Sequence, residues 1–147
     1  RRIGMLDRKL RIVNENTDTE AEWLKWATRA VQSCYGYEYQ GDNLLIARIN
    51  ILTSFCEYYE ERWNKDVDKK TLLNIANVIA WNIWQMDGLN DTVPLGKPYE
   101  ENYQFTFFDM LAAEEEQDCE EERESGPCRI VNWRSKESIE FRKIKKG

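Results

Sequence analysis

Apolar residues recur at helical spacing from the start of the chain. Ile3, Leu6, Leu10 and Val13 lie three or four positions apart, with charged residues between them. This spacing is typical of one face of an amphipathic helix, because neighbouring turns bring such positions together. A first helix is therefore predicted to run to about Asn14.

A polar segment follows, and a second helix is predicted to begin after it. Thr19 or Asp18 can cap its N-terminus, and Glu22 near the third position completes a capping-box pattern. One face of this helix is expected to contain Trp23, Trp26, Ala27, Ala30 and Val31.

Two more helices are predicted farther along the chain. Asp42 is a candidate N-cap for a long helix that runs to about Trp63. Thr71 begins another helical stretch, expected to end near Asn77. The broad apolar face of the long helix consists of Leu44, Leu45, Ile46, Ile49, Leu52, Phe55 and Cys56.

Two short apolar stretches have the composition of buried strands. The first is residues 34–39, which are aromatic and bounded by Gly41, and the other is the second part of residues 78–86, which end at the turn signal Asp87-Gly88. Helices and strands then alternate as in an α/β layer with parallel strands and crossover helices, so the predicted fold class is α/β. Covering helices should bury Trp23, Trp26, Leu45, Ile49 and Leu52.

The pattern of the C-terminal part predicts a β-hairpin. Residues 128–133 and 138–142 alternate apolar and polar side chains around a polar turn. Three segments are therefore expected: an α/β core over residues 1–92, an irregular segment over 93–127, and the hairpin with a basic tail over 128–147.

Composition limits the chemistry. The 147 residues include no histidine, which excludes Ser-His-Asp and Cys-His catalysis and every zinc site that uses histidine. The four cysteines form no C-x-x-C pair, so reduced thiols are expected rather than a metal or disulfide framework. Without a signal peptide or an apolar run near the ~20 residues of a spanning helix, the protein is expected to be cytoplasmic and to have no membrane contact.

Charge is unevenly distributed. Residues 114–124 carry eight acids and one arginine, a local charge of −7. The remaining residues sum to +1, which gives the net charge of −6. Such a block repels itself and is expected to form a solvated, mobile loop. The sharper alternative is a surface that mimics nucleic acid or binds a basic protein partner. Both ends of the chain are basic and could contact DNA phosphates.

Two acidic residues lie at the carboxyl ends of the predicted strands. In a parallel sheet the ligand lies at the carboxyl ends of the strands, where Glu38 and Asp87 are placed. A carboxylate at Glu38 can accept both hydroxyls of a ribose, and one at Asp87 can accept from the amine of an adenine, with Ile83 or Leu89 against the ring. The plainer alternative is that each acid caps the following turn.

A family resemblance is carried by these same residues. Residues 35–43, followed by Leu44, Ala47 and Arg48, resemble the second strand and next helix of S-adenosylmethionine-dependent N6-adenine DNA methyltransferases, where an acid, a short turn and an Ala-Arg helix recur. Residues 82–89 are similar to the third strand of that family, of the form N-I-x-x-x-D-x-L.

The resemblance covers residues 1–92, since residues 1–10 look like the helix that follows the glycine-rich loop of the family. It implies a partial Rossmann-like parallel sheet with flanking helices. It also implies that Glu38 binds the ribose, and Asp87 the adenine, of S-adenosylmethionine.

Two family motifs have no counterpart in this sequence. The D-P-x-x-G-x-G loop would lie before Arg1, and a chain that starts with Arg1 rather than Met suggests a processed product or a piece of a longer protein. The nearest string to the catalytic D/N-P-P-Y/F motif is 97–99, interpreted as a loop. The first hypothesis is therefore a segment of an adenine-specific DNA methyltransferase, from a restriction–modification or phage system, which is inactive alone. Its missing motifs would come from flanking or partner chain, and its expected partner is DNA or the remainder of the methyltransferase. The alternatives are a non-catalytic acidic interaction protein, which could be phage-encoded, and an α/β scaffold without a ligand.

Overall fold

The computed structural model describes residues 4–94 and 126–145 of the chain. Residues 97–99, the acidic run over residues 114–124 and Cys119 lie outside these ranges. The helices are α1 (Met5–Asn16), α2 (Glu20–Gln32), α3 (Gly41–Trp63), α4 (Lys69–Asn82) and α5 (Phe141–Lys145). The strands are β1 (Gly36–Glu38), β2 (Ile83–Gln85), β3 (Arg129–Asn132) and β4 (Glu137–Glu140).

Side-chain caps fix where two of the helices begin. Thr19 caps α2 by accepting a hydrogen bond from the amide of Glu22, which confirms the predicted start. Asp68 caps α4 through the amide of Thr71 at 3.1 Å, so this helix begins earlier than predicted. The N-cap of α3 is Gln40, and Asp42 lies in its first turn instead of capping it.

The strand predicted in the second part of residues 78–86 is confirmed, whereas the helix before it extends past its expected end near Asn77. Helix α4 continues to Asn82, and only Ile83–Gln85 forms β2. The reason is visible in the buried positions Ile75, Val78, Ile79 and Asn82, which follow helical spacing along one face of α4. Packing of that face outweighs the strand preference of the β-branched residues.

Helices α1 to α4 pack on one another in a closed arrangement, with α1 and α4 each touching both α2 and α3. Trp23 is fully buried at its centre, and its ring lies 5.5 Å from Phe55 and 5.6 Å from Tyr59. The other large buried side chains of this helical core include Leu10, Val31, Ile75, Val78 and Ile79.

Two of the five side chains expected to be buried are instead exposed. Trp26 is 51% exposed and Ile49 50% exposed, whereas Leu45 and Leu52 are half-buried. Both exposed residues lie beside the buried face of their helix, since the helices pack mainly on each other and cover little of a sheet.

Two small sheets are present among the described residues. Strands β1 and β2 are parallel, with Gly36 opposite Ile83 and Glu38 opposite Gln85, and the connection between them runs through α3 and α4. The fold is thus mixed helix and strand, in agreement with the α/β prediction. The larger Rossmann-like sheet stays a prediction, because the described parallel sheet has two strands.

The C-terminal hairpin is confirmed. Strands β3 and β4 pair antiparallel, and the second strand ends at Glu140 because Phe141 starts the short helix α5. Hairpin and α5 cover the face of the parallel pair that points away from the helical core. There Trp84 and Met86 of the β2 segment are buried with Cys128, and the partly buried Phe141 packs against them.

Candidate functional site

Glu38 is the last residue of β1 and lies just before the start of α3. Its Oε1 accepts hydrogen bonds from the amides of Tyr39 at 2.9 Å and Gln40 at 3.2 Å. Within the described ranges, Oε2 of Glu38 has no hydrogen-bond partner. The carboxylate is therefore held in place by one oxygen and offers the other as an acceptor.

Asp87 follows β2 and organises the turn after it. Its Oδ1 accepts from the amide of Leu89 at 2.9 Å, and its Oδ2 accepts from the side-chain amide of Asn90 at 2.7 Å. The hydrogen bond from Leu89, followed by that from Asn90, lowers the pKa of Asp87, so the group is a carboxylate at neutral pH. The capping role proposed as the plainer alternative is thus present.

The two acids lie at the same end of the parallel pair. Glu38 is opposite Gln85, and the amide of Met86 donates to the carbonyl of Glu38 at 3.1 Å. Asp87 lies two residues beyond Gln85, the last residue of β2. The register thus places both predicted ligands near the carboxyl ends of neighbouring parallel strands.

The two apolar residues expected beside an adenine ring have different surroundings. Ile83 is buried in the helical core, so it is not accessible to a ligand there. Leu89 is 94% exposed next to Asp87. Of this pair, only Leu89 is available to contact a bound ring.

The turn that carries Asp87 is anchored by the C-terminal hairpin region. The amide of Cys128 donates to the carbonyl of Asp91 at 3.1 Å, and the guanidinium of Arg142 donates to the carbonyl of Asn90 at 2.6 Å. Lys145 forms an ion pair with Asp91 at 3.4 Å. Two of the basic residues near the C-terminus therefore hold this turn, which limits their role in contacting DNA.

Arg48 lies within α3 and is partly buried beside β2. Its Nε donates to the carbonyl of Ile83 at 2.8 Å, and one of its terminal nitrogens donates to the carbonyl of Ala80 at 3.2 Å. Burial lowers the pKa of Arg48 to about 10, which still leaves the guanidinium charged at neutral pH. It stabilises the junction between α4 and β2, a role the sequence analysis did not assign.

Asn82 is a second residue whose role the sequence analysis missed. It is fully buried at the end of α4 and makes hydrogen bonds to α2, to the segment before β1 and to the hairpin. A lone amide between an apolar helix face and an apolar strand is the signal that could have indicated such a junction.

The described cysteines are free thiols. Cys34 and Cys128 are buried, and Cys56 is partly buried. Burial raises the pKa of Cys128 to about 11, and it also raises the pKa of the other two thiols, so these groups are unreactive at neutral pH. Across residues 4–94 and 126–145, no cluster of acidic or cysteine side chains could hold a metal ion.

Every helix in the described part of the chain is too short or too polar to span a lipid bilayer. Comparison with known proteins gave no relatives: no family model, curated protein or solved structure matches this sequence. The methyltransferase resemblance therefore depends on the residues quoted above and on their geometry.

Proposed function

We propose that this chain contributes part of the S-adenosylmethionine site of an adenine-specific DNA methyltransferase, from a restriction–modification or phage system. The observation that supports the proposal is the parallel pairing of β1 and β2, because Glu38 ends β1 and Asp87 follows the end of β2. Open parallel sheets bind their ligands at this end.

Glu38 is suited to the ribose of the cofactor. Ribose hydroxyls are donors, and Oε2 of Glu38 is an acceptor without a partner in the described part of the chain. The bonds from Tyr39 and Gln40 to Oε1 hold the carboxylate in one orientation, so little further ordering is needed when a ligand binds.

Asp87 is suited to the adenine. Its lowered pKa keeps it ionised, and an ionised carboxylate only accepts hydrogen bonds, which matches the amine of adenine. Three hydrogen bonds from Leu89 and Asn90 occupy part of its capacity of about four, which leaves room for one more donor. The exposed side chain of Leu89 can cover one face of the ring.

The chain alone is proposed to bind and not to catalyse. When bound, S-adenosylmethionine supplies the methyl group for adenine N6. The sequence lacks the glycine-rich loop that holds the methionine part of the cofactor and the motif that holds the target base, so the remainder of the enzyme would supply both. Basic residues of the two ends other than Arg142 and Lys145 would contact DNA in that assembly.

Isothermal titration with S-adenosylmethionine and with adenosine tests the proposal. Because the proposed contacts go to the ribose and the base, the two ligands should bind with similar affinity. Glu38→Gln and Asp87→Asn should each weaken both by about tenfold or more, which corresponds to one charge-assisted hydrogen bond. The matched control Glu15→Gln, an exposed carboxylate on α1, should bind as wild type does.

A second candidate function is favoured by the sequence of residues 114–124. Eight acids against one arginine suit a non-catalytic protein that mimics DNA or binds a basic partner. Two results together would favour this interaction protein over the cofactor site. Neither ligand would give a heat of binding, and the chain would bind tightly to a purified DNA-binding protein, with the binding lost when these acids are replaced by amides.

A further inference from the structure

Asn82 is fully buried, and both ends of its amide have hydrogen-bond partners. Its Nδ2 shares two N–H groups among three carbonyls, those of Val31 at 3.2 Å, Gln32 at 2.9 Å and Cys34 at 3.1 Å. Its Oδ1 accepts from the indole of Trp133 at 2.7 Å. A buried polar group that is satisfied on both sides restricts the arrangement of everything it touches.

The position of Asn82 in the chain gives these bonds a specific consequence. Asn82 directly precedes β2, and Cys34, one of its acceptors, lies two residues before β1. The amide therefore ties together the points where the two parallel strands begin. The opposite ends of the same strands carry Glu38 and Asp87.

Register matters strongly for a pair this short. A shift of one residue between parallel strands moves every side chain of one strand to the other face of the sheet. Such a shift would separate Glu38 from Asp87 and would place Ile83 outside the helical core. Three-residue strands provide few ladder bonds of their own to resist it.

We infer that Asn82 is a positioning residue that fixes the register of β1 against β2 and thereby sets the position of Glu38 relative to Asp87. Its effect on ligand binding rests on the proposed function, whereas its effect on register does not. The bond from Trp133 extends the connection to the hairpin, so the position of the hairpin and the register of the strands are coupled.

Hydrogen exchange at the amide of Met86 measures the register directly, because this amide donates to the carbonyl of Glu38. The test variant is Asn82→Ser, which removes the amide donors. The control is Val78→Ala, one turn earlier on α4 and also buried, which creates a cavity but touches none of these bonds. Exchange is compared by NMR at denaturant concentrations that give both variants equal global stability.

The hydrogen-exchange rate of the Met86 amide should be about tenfold or more higher in Asn82→Ser than in Val78→Ala. The reason is that Asn82→Ser removes the side-chain amide that three carbonyls share as their donor. Adenosine affinity should fall in Asn82→Ser and not in Val78→Ala. Equal Met86 exchange in the two variants would overturn the inference. If wild type does not bind adenosine, the proposed function fails while the exchange comparison still decides the role of Asn82.

If Asn82→Ser does not fold, wild-type exchange provides the second measurement. If Asn82 fixes the register, the amide of Met86 should exchange as slowly as the buried helix amide of Val78, because both would exchange only through global unfolding. Much faster exchange at Met86 than at Val78 would show that the strands separate locally, and the inference would be wrong.

Discussion

The amide of Met86 donates a hydrogen bond to the carbonyl of Glu38 at 3.1 Å, directly before Asp87. This bond joins the main chain of one proposed ligand to the residue that precedes the other. Displacement of either strand end therefore moves both carboxylates relative to each other, so the stability of this corner and its capacity to bind are linked.

Asp87→Asn should change the acid dependence of stability. The folded pKa of Asp87 lies below its ordinary value of 3.8, so the charged form stabilises the fold above that pH, and the contribution is lost as the pH falls through the folded pKa. The variant keeps an oxygen for the amide of Leu89 but has no charge to lose. Urea unfolding should show that the stability difference between wild type and variant is largest at neutral pH and shrinks in acid. A difference that is independent of pH would contradict this account.

Gly88→Ala should destabilise the protein by about 1–3 kcal/mol. A Cβ at this position would lie 2.9 Å from Cε2 and 3.2 Å from the hydroxyl oxygen of Tyr37, whose ring packs against Trp84 and Phe141. The control is Gly41→Ala, where no atom lies within 4 Å, and a gain of about 0.4–1 kcal/mol is expected from the reduced entropy of the unfolded chain. Denaturant unfolding of the two variants checks both signs, and recovery in Tyr37→Ala/Gly88→Ala would identify the contact responsible.

Arg48→Met should cost about 1–3 kcal/mol, because the carbonyls of Ile83 and Ala80 lose their charged donor in a buried place. The exposed Arg8→Met on α1 removes the same charge and should change the free energy of unfolding by no more than about 0.5 kcal/mol. Thermal unfolding of both variants is the measurement. Equal losses would mean that net charge, and not the junction of α4 and β2, determines the effect.

The two tryptophans of α2 should differ sharply. Trp23→Ala removes the centre of the helical core and should cost about 3–5 kcal/mol. Trp26→Ala removes a half-exposed ring with Lys25 5.8 Å from its centroid, and should cost no more than about 1 kcal/mol. Comparable losses from both, measured by denaturant unfolding, would contradict the observed packing of α2.

Local signals in the sequence predicted several elements well. The cap at Thr19, the end of α3 at Trp63, the short strand over Gly36–Glu38 and the hairpin all follow from capping chemistry, periodicity and alternation. These features depend on residues close to one another in the chain, which is why the sequence alone was sufficient.

Tertiary packing decided what the sequence did not predict. Four helices that pack mainly on one another leave Trp26 and Ile49 at the margin of the core, and they draw Val78 and Ile79 into α4. The roles of Arg48 and Asn82 depend on carbonyls more than 30 residues away in sequence, which no local pattern reveals. For the site, sequence position placed Glu38 and Asp87 at strand ends, and the structure added the parallel pairing of those strands and the burial of Ile83.

The amide of Val93 donates to the carbonyl of Gly126 at 3.1 Å, and Thr92 pairs with Pro127. The end of one described range and the start of the next are thus adjacent in the structure. Doubling the number of residues that join these two points would cost only about 0.6 kcal/mol of closure entropy. Segments of different length can therefore be exchanged between these two points during evolution, or inserted there by design, while the helices and the paired strands keep their arrangement.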